Sequence, residues 1–209
     1  MPETHPTKGP LAGGGASQFG TPHGLLGRLA GRIMASGNAD EQEQLAELID
    51  ERDGDHVLEV GYGPGVLVHQ LVARGRATHI AGVDPSEVMA EQARRANRAA
   101  VSAGRVDLRV AGVERVPFDN ASFDRVVSVN NVQIWPDPAA GMREIHRVLR
   151  PGGHLVIALH SRRSPSRFRR RLGLDPAQLD RIARLIGDVF GEVARHDLTD
   201  VDVFVTTRS

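Results

Sequence analysis

The sequence predicts an α/β domain in which a mainly parallel sheet is covered by helices on both faces. Two observations predict it: short apolar segments alternate with amphipathic segments from residue 56 onward, and the last two apolar segments have no helical segment between them. Strands that alternate with helices form parallel sheets, whereas strands joined directly form antiparallel hairpins. Seven strands with a C-terminal antiparallel hairpin are therefore expected, and 209 residues suit one such domain.

The predicted strands are short segments rich in branched apolar residues. They are expected at 56–60, 78–83, 106–110, 123–129, 154–159, 193–197 and 201–207.

Helices are predicted at 66–74 and 86–103, and the second of these ends at Gly104, which suits a left-handed C-cap. A third begins at Asp137-Pro138 and stops before Pro151, and a fourth runs from Asp175-Pro176 to Gly191. Asp followed by Pro supplies an N-cap and a first helical residue in both cases.

The amino-acid composition excludes several classes of function. Lys plus Arg and Asp plus Glu both number 26, so no global field attracts nucleic acid or an acidic membrane. The absence of cysteine excludes disulfides, thiolate metal sites and a cysteine nucleophile, and no metal site is predicted. No apolar run approaches the ~20 residues of a membrane span, and the start of the chain lacks a signal-peptide pattern. A soluble cytoplasmic protein is expected.

The strongest functional signal is the loop Gly61-Tyr62-Gly63-Pro64-Gly65, which follows a predicted strand and opens a helix. Glycines let the backbone turn tightly and approach a ligand closely. Asp84 ends the next strand, where a carboxylate can accept hydrogen bonds from both hydroxyls of a ribose.

Two other interpretations of this loop are weighed. One is a tight strand–helix connection without a ligand. The other is a dinucleotide site, but the G-x-G-x-x-G pattern requires glycine at position 66, where valine stands. Glu59 before the loop suits a cationic ligand group better than a pyrophosphate.

Six motifs follow one another in order along the chain. They are Glu59-x-Gly61-x-Gly63-x-Gly65, Asp84, Val116-Pro117-Phe118, Phe123-Asp124, Trp135-Pro136-Asp137 and Leu149-Arg150-Pro151-Gly152-Gly153. This ordered set resembles that of class I S-adenosylmethionine-dependent methyltransferases, most closely the small-molecule type related to ubiquinone and menaquinone methyltransferases. The resemblance covers about residues 40–160 and implies a Rossmann-like sheet of order 3-2-1-4-5-7-6, with strand 7 antiparallel.

The resemblance implies S-adenosyl-L-methionine as cofactor, with the glycine loop against its methionine portion and Asp84 on its ribose. Family members often have an acid near the adenine amine where this chain has Gly112, so the Gly112 backbone and the Val113 side chain are expected to contact adenine. Asn130 is expected at the methionine end. The predicted cofactor residues are Glu59, Gly61, Tyr62, Gly63, Gly65, Asp84, Pro85, Met89, Gly112, Val113 and Asn130, with Ser86 beside the adenosine.

Methyl transfer from a sulfonium is an in-line displacement in which positioning lowers the barrier, and a base is needed only when the acceptor must lose a proton. His160, just past the fifth strand, is the candidate base, with a partly exposed loop histidine as the alternative. His23 and His146 are weaker candidates. Asn131 is either a ligand contact or a loop cap, and Trp135 either a pocket wall or a buried anchor.

Residues 162–171 include six arginines with one aromatic, Phe168. A solvated, flexible loop is the ordinary explanation of such a charge run. An anionic acceptor, a carrier-protein group or RNA is the alternative, although few aromatics argue against single-stranded RNA.

The expected domain organisation is a disordered tail at 1–20, an N-terminal helical lid or substrate segment at 21–50 and the cofactor domain at 51–209. A packing strut is the alternative to a lid. The expected function is methyl transfer to a small-molecule acceptor, at oxygen or carbon rather than nitrogen. A nucleic-acid methyltransferase that uses Arg162 to Arg171 and a non-catalytic cofactor-binding module are the alternatives; the oligomeric state is open.

Overall fold

The computed structural model describes residues 47–209. The predicted tail at 1–20, the predicted lid helix and His23 lie outside the described residues. Residues 47–49 are helical and lie at the end of the N-terminal helical segment predicted for 21–50.

Within the described part of the chain, seven strands form one sheet in the order β3-β2-β1-β4-β5-β7-β6. Strands β1 to β5 pair in parallel, and β7 pairs antiparallel with both β5 and β6. The predicted strand order and C-terminal hairpin are confirmed. The strands are β1 His56–Val60, β2 His79–Asp84, β3 Val106–Val110, β4 Phe123–Val129, β5 Leu149–His160, β6 Ala194–Asp197 and β7 Val201–Thr207.

Helices and two 3-10 turns connect these strands. Asp137 and Asp175 act as the predicted N-caps, because their side chains accept hydrogen bonds from Ala140 N (2.9 Å) and Gln178 N (2.8 Å). The helices are α1 Val66–Arg74, α2 Glu87–Ala96, α3 Arg98–Ser102, α4 Pro138–Val148, α5 Arg167–Leu172 and α6 Pro176–Phe190, and the 3-10 turns are Val113–Arg115 and Val132–Ile134.

The sheet is buried on both faces, as expected for parallel strands between helices. Successive side chains of β1 point to opposite faces: Leu58 packs in the cluster that holds α4 and α6, whereas Val57 packs in the cluster that holds α1 and α2. The loops that follow the strands are therefore left to form the ligand crevice at the carboxyl edge.

The helix predicted for 86–103 is wrong as a single element, because it divides into α2 and α3 at Asn97. The Asn97 side-chain nitrogen donates to the carbonyls of Gly65 (3.1 Å) and Ala93 (3.0 Å). A side chain that bonds backbone groups competes with helix continuation. The break therefore ties the helix to the glycine loop. Gly104 has the predicted left-handed backbone, with φ 72°.

Strand β5 is longer than predicted, because it starts at Leu149 and runs through the Pro-Gly-Gly sequence. Gly152 N donates to Arg208 O (2.7 Å), and Arg208 N donates to Gly153 O (2.8 Å). These bonds extend the pairing of β5 with the C-terminal segment. The loop predicted for 162–171 is also wrong in part, because α5 occupies its second half.

The two outer strands of the sheet each carry an ion pair between residues two apart. On β3, Arg109 pairs with Asp107 (2.7 Å), and on β6, Arg195 pairs with Asp197 (2.8 Å). Within residues 47–209, none of the helices has the length and apolar character needed to cross a membrane.

Candidate functional site

The glycine loop links β1 to α1 at the carboxyl edge of the sheet. Gly61, Gly63 and Gly65 all have positive φ, at 77°, 50° and 81°. Gly65 N donates to Tyr62 O (2.9 Å), which closes the turn. L-residues with a Cβ rarely adopt these conformations, so the backbone alone explains the glycine spacing.

Packing within the protein adds a second requirement for glycine at two of these positions. A Cβ at Gly61 would overlap with the side-chain amide of Asn131. A Cβ at Gly65 would lie 2.8 Å from both Ala93 Cβ and Asn97 Nδ2. The sequence-based argument attributed the glycines to ligand approach, whereas the structure shows that neighbouring side chains also exclude larger residues.

Asp84 is the last residue of β2 and joins the loop to the start of α2. Its Oδ2 accepts a hydrogen bond from Gly63 N (3.0 Å), and its Oδ1 accepts one from Ser86 N (2.9 Å). Each carboxylate oxygen has a further lone pair. Asp84 therefore orders the loop and retains acceptor capacity for ligand hydroxyls.

Glu59 lies one residue before the end of β1 and is 4% exposed. Burial, followed by the charge of Asp84, raises the pKa of the Glu59 carboxyl to about 8. Its Oε2 has no hydrogen-bond partner within residues 47–209. Burial also raises the pKa of Asp84. Ionising both carboxyl groups at once is unfavourable, because both are buried and their negative charges repel. A ligand that carries a positive charge would offset this cost, so the pair suits a cationic ligand.

Two predicted cofactor residues have side chains in the core instead of on the crevice wall. The Tyr62 ring packs over Gly82 and Leu108, where it leaves no room for a Cβ at Gly82, and its hydroxyl donates to Arg109 O (3.3 Å). Val113 is buried in the cluster that includes Trp135. Both side chains are buried in the core, and the expectation that these residues contact the cofactor stays a prediction.

Glu114 fills the space next to Gly112. Its Oε2 lies 2.5 Å from the position that a Cβ at Gly112 would take, and its Oε1 accepts a hydrogen bond from Asp137 N (3.3 Å). Sequence reasoning noted that residue 112 lacks an acid but overlooked Glu114. The signal in the sequence is an acid two positions after Gly112, and the structure places it in the middle of the 3-10 turn Val113–Arg115.

The remaining adenosine-side residues lie at the start of α2. Pro85 is exposed, whereas Met89 is buried, and Met89 N donates to Ser86 Oγ (3.3 Å). Ser86 thus acts as the N-cap of α2.

Asn131 is fully occupied by protein contacts. Its Nδ2 donates to Val60 O (2.6 Å), and its Oδ1 accepts hydrogen bonds from Ser128 Oγ (2.6 Å) and Trp135 Nε1 (2.8 Å). Of the two interpretations left open, the structure supports the structural one. Trp135 is also an anchor, since its ring packs against Gly141 and the core.

Asn130 links the ends of β4 and β5. It has a left-handed backbone with φ 57°, and its Oδ1 accepts a hydrogen bond from His160 N (2.6 Å). This bond leaves one lone pair of Oδ1 and the Nδ2 group for a ligand, and the contact with the methionine end of the cofactor stays a prediction.

His160 is the last residue of β5 and not a loop residue. Its Nδ1 is buried without a hydrogen-bond partner in the described part of the chain. Burial, followed by the nearby charge of Arg169, lowers the pKa of His160 to about 4, although Asp200 opposes the shift. The imidazole is therefore neutral at pH 7. His146 lies within α4, where its ring packs 5.2 Å from that of Phe190, so it is structural.

The part of the sequence that forms this site is similar to the sequences of known proteins. The profile of the methyltransferase domain family matches residues 58–157, which run from β1 into β5. The uncharacterised methyltransferase YdaC of Bacillus subtilis is 36% identical over 134 residues, which cover 64% of this chain and 72% of YdaC. The chain belongs to the class I S-adenosylmethionine-dependent methyltransferases.

Other methyltransferases match over shorter lengths. The ubiquinone/menaquinone biosynthesis C-methyltransferase UbiE of Geotalea daltonii is 34% identical over 102 residues, which cover 48% of this chain and 43% of UbiE. A crystal structure of a candidate S-adenosyl-L-methionine-dependent methyltransferase from Methanococcus maripaludis superposes with a TM-score of 0.73 at 19% identity, covering 88% of this chain and 92% of that one. This structural likeness shows the fold.

The residues at the carboxyl edge fit S-adenosylmethionine as the cofactor of this methyltransferase. Glu59 and Asp84 are buried carboxyl groups that form no ion pair with any residue from 47 to 209, and the cofactor carries positive charge. Buried polar atoms are normally hydrogen-bonded, and Glu59 Oε2 has no partner within residues 47–209, so a ligand is expected to supply one.

Proposed function

We propose that this methyltransferase transfers the methyl group to a small-molecule acceptor, at an oxygen or a carbon atom. The observation that carries the proposal is the acidic cradle formed by Glu59 and Asp84 around the glycine loop, together with the family membership. S-adenosylmethionine supplies an electrophilic methyl group that passes to the acceptor by in-line displacement. The protein contributes mainly by holding the reacting groups in line.

Three carboxylates are proposed to hold the cofactor at three points. Asp84 accepts hydrogen bonds from the ribose hydroxyls through its free lone pairs. Glu59 balances the positive charge of the methionine end, which lowers the cost of ionising a buried carboxyl. Glu114 accepts a hydrogen bond from the adenine amine, because its carboxylate takes the space beside Gly112 where family members often place an acid.

A small acceptor is supported by the chemistry in the names of relatives and by the sequence after β4. UbiE is named a C-methyltransferase of ubiquinone and menaquinone biosynthesis. The segment after β4 reads Asn130-Asn131-Val132-Gln133. It lacks the prolines of the amino-group methyltransferases that act on nucleic acids, and Asn131 is used in structural bonds.

His160 is proposed as the group that accepts a proton or a hydrogen bond from the acceptor. Its unpartnered Nδ1 and neutral ring make it an acceptor without prior deprotonation. A base with a pKa of about 4 is far from the optimum for neutral pH, so it assists most with acceptors that are themselves acidic, such as enols and phenols.

The test supplies the full chain with methyl-labelled S-adenosylmethionine and either a low-molecular-mass extract or a nucleic-acid fraction. Label is expected in small organic products that survive nuclease treatment, and mass spectrometry then locates the methyl group on oxygen or carbon. Asp84→Ala serves as the control with impaired cofactor binding. Label confined to nuclease-sensitive material would assign the nucleic-acid alternative. Tight binding of S-adenosylhomocysteine with no labelled product would assign the non-catalytic one.

A further inference from the structure

The arginine-rich segment after β5 is anchored to the C-terminal hairpin by part of its arginines. Arg163 donates to the buried Asp202 (2.7 Å), and Arg169 lies 3.7 Å from Asp200. The Ser164 hydroxyl also bonds Asp200 (2.5 Å). These contacts attach the segment to the hairpin, so α5 is an anchored helix and not a flexible solvated loop.

The other arginines of α5 have a different environment. Arg167, Arg170 and Arg171 are exposed, and none of them forms an ion pair with an acidic side chain within residues 47–209. The Arg170 guanidinium donates to Ser164 O (3.0 Å), which leaves its charge uncompensated. This end of the molecule therefore presents three positive charges to solvent.

Apolar side chains lie among these charges. Phe168 is 54% exposed and Leu172 is 37% exposed. Residues four apart share one side of a helix, so the two side chains extend from the same side of α5. A groove of about 450 Å³ is lined by Arg167, Phe168, Arg170 and Arg171.

The exposed apolar side chains concentrate at one edge of the sheet. Among the described residues, four large apolar side chains are exposed, and each lies at or after the carboxyl end of a parallel strand. Val110 ends β3, Ile134 follows β4, and Phe168 and Leu172 follow β5. The glycine loop and His160 lie at the same edge, so the apolar side chains are on the side from which an acceptor enters.

We propose that α5 docks this edge of the protein onto a membrane surface that contains anionic lipid. Guanidinium groups pair with lipid phosphates, and Phe168 and Leu172 enter the boundary between headgroups and acyl chains. Three arginines and two apolar side chains give weak, reversible and salt-sensitive attachment. This inference does not depend on the proposed acceptor.

Three other occupants suit the surface less well. A small soluble anion leaves Phe168 and Leu172 unused. Single-stranded nucleic acid is held by several stacked aromatics, and α5 has one. Residues 21–34 of the chain itself carry Arg28 and Arg32 and no acidic residue, so their charge has the same sign as that of α5.

The test is flotation of the full chain with vesicles of phosphatidylcholine alone or with one third phosphatidylglycerol. Wild type is expected to float with the anionic vesicles only, and high salt should release it. The double variant Arg167→Gln/Arg171→Gln should bind roughly tenfold or more weakly at low salt, and Phe168→Ser should also bind more weakly than wild type at low salt. Arg181→Gln/Arg184→Gln on α6 removes the same charge from exposed positions elsewhere and should bind as wild type does.

Each contrary result is decisive. Equal flotation with neutral and anionic vesicles, or none with either, overturns the proposal. Equal loss in the two double variants also overturns it, since net charge would then explain the binding. Tighter binding to an RNA than to the anionic vesicles, unaffected by Phe168→Ser, assigns the surface to nucleic acid.

Discussion

The side-chain amide of Asn131 occupies the space that a side chain at Gly61 would need. The same amide donates to Val60 O at 2.6 Å, so a side chain two residues after β4 holds the end of β1 and the first residue of the cofactor loop. Two segments that are 70 residues apart in sequence thus depend on each other for their conformation.

Gly61→Ala is expected to destabilise the protein more than Gly75→Ala. Both glycines have positive φ, at 77° and 72°, but a Cβ at Gly75 meets nothing within 4 Å. Gly75→Ala should cost about 1–2 kcal/mol from backbone strain. Gly61→Ala should cost roughly 1–3 kcal/mol more because Asn131 must move. Denaturant unfolding measures the difference, and equal losses would show that Asn131 adjusts freely.

Cofactor binding is expected to release a proton from Glu59. The pKa of Glu59 is raised to about 8, so the carboxyl is mostly protonated at pH 7 in the free protein. A cationic ligand favours the carboxylate and lowers this pKa. Calorimetry at pH 7 in buffers of different ionisation enthalpy should therefore show release of up to about one proton. Glu59→Gln should abolish it, and release that persists in that variant would point to another group.

The stability of the cofactor-free protein is expected to fall with rising pH because of the same residue. Below its ordinary pKa of 4.5, Glu59 is protonated in both the folded and unfolded states. As pH rises from 4.5 to about 8, the unfolded state ionises more readily than the folded state, so the free energy of unfolding decreases. Glu59→Gln should flatten this part of the pH–stability curve. A curve of unchanged slope would exclude Glu59 as its source.

Glu114→Ala is expected to weaken recognition of the adenine amine. A hydrogen bond to a charged group contributes roughly 1.5–3 kcal/mol, which corresponds to about tenfold to a hundredfold in affinity. Wild type should prefer S-adenosylhomocysteine to its inosine analogue, which lacks the amine, and the variant should lose this preference. The exposed Glu91→Gln on α2 is the charge-matched control. A variant that keeps the preference would limit Glu114 to its bond with Asp137 N.

His160 is expected to make the rate of methyl transfer change with pH only in acid. Its pKa is lowered to about 4, so the neutral form is present above that pH and is lost below it. The pH–rate profile should therefore fall as pH drops through about 4, with no inflection near the ordinary value of 6.5. His160→Asn keeps the backbone bond to Asn130 and should remove the acid limb. An inflection near 6.5 that disappears in this variant would contradict the shift in pKa.

The sequence was sufficient for features that depend on neighbouring residues. Alternating strands and helices, the Asp-Pro caps and the glycine loop are local patterns, and the order of the sheet followed from the family resemblance. Features that depend on contacts between residues far apart in the sequence could not be predicted. The break at Asn97 depends on Gly65, and the position of α5 depends on Asp202, which meets Arg163 from 39 residues away.

Two side chains of the candidate site show the same limit. Tyr62 belongs to a loop motif, which suggests ligand contact, but its ring fills the space above Gly82. Glu114 follows Gly112 by two residues, and only the 3-10 turn brings its carboxylate back beside that glycine. Side-chain direction in irregular segments is set by the backbone path, which the sequence pattern does not give.

The ion pairs on β3 and β6 affect whether two molecules can associate through the edges of their sheets. An outer strand offers unpaired backbone groups to any other strand, and this is the usual start of edge-to-edge aggregation. Here Asp107 and Arg109 on one side, and Arg195 and Asp197 on the other, would have to lose water before a second chain could pair with either strand. Within residues 47–209, the charged pairs thus oppose the addition of a further strand at both sides of the sheet.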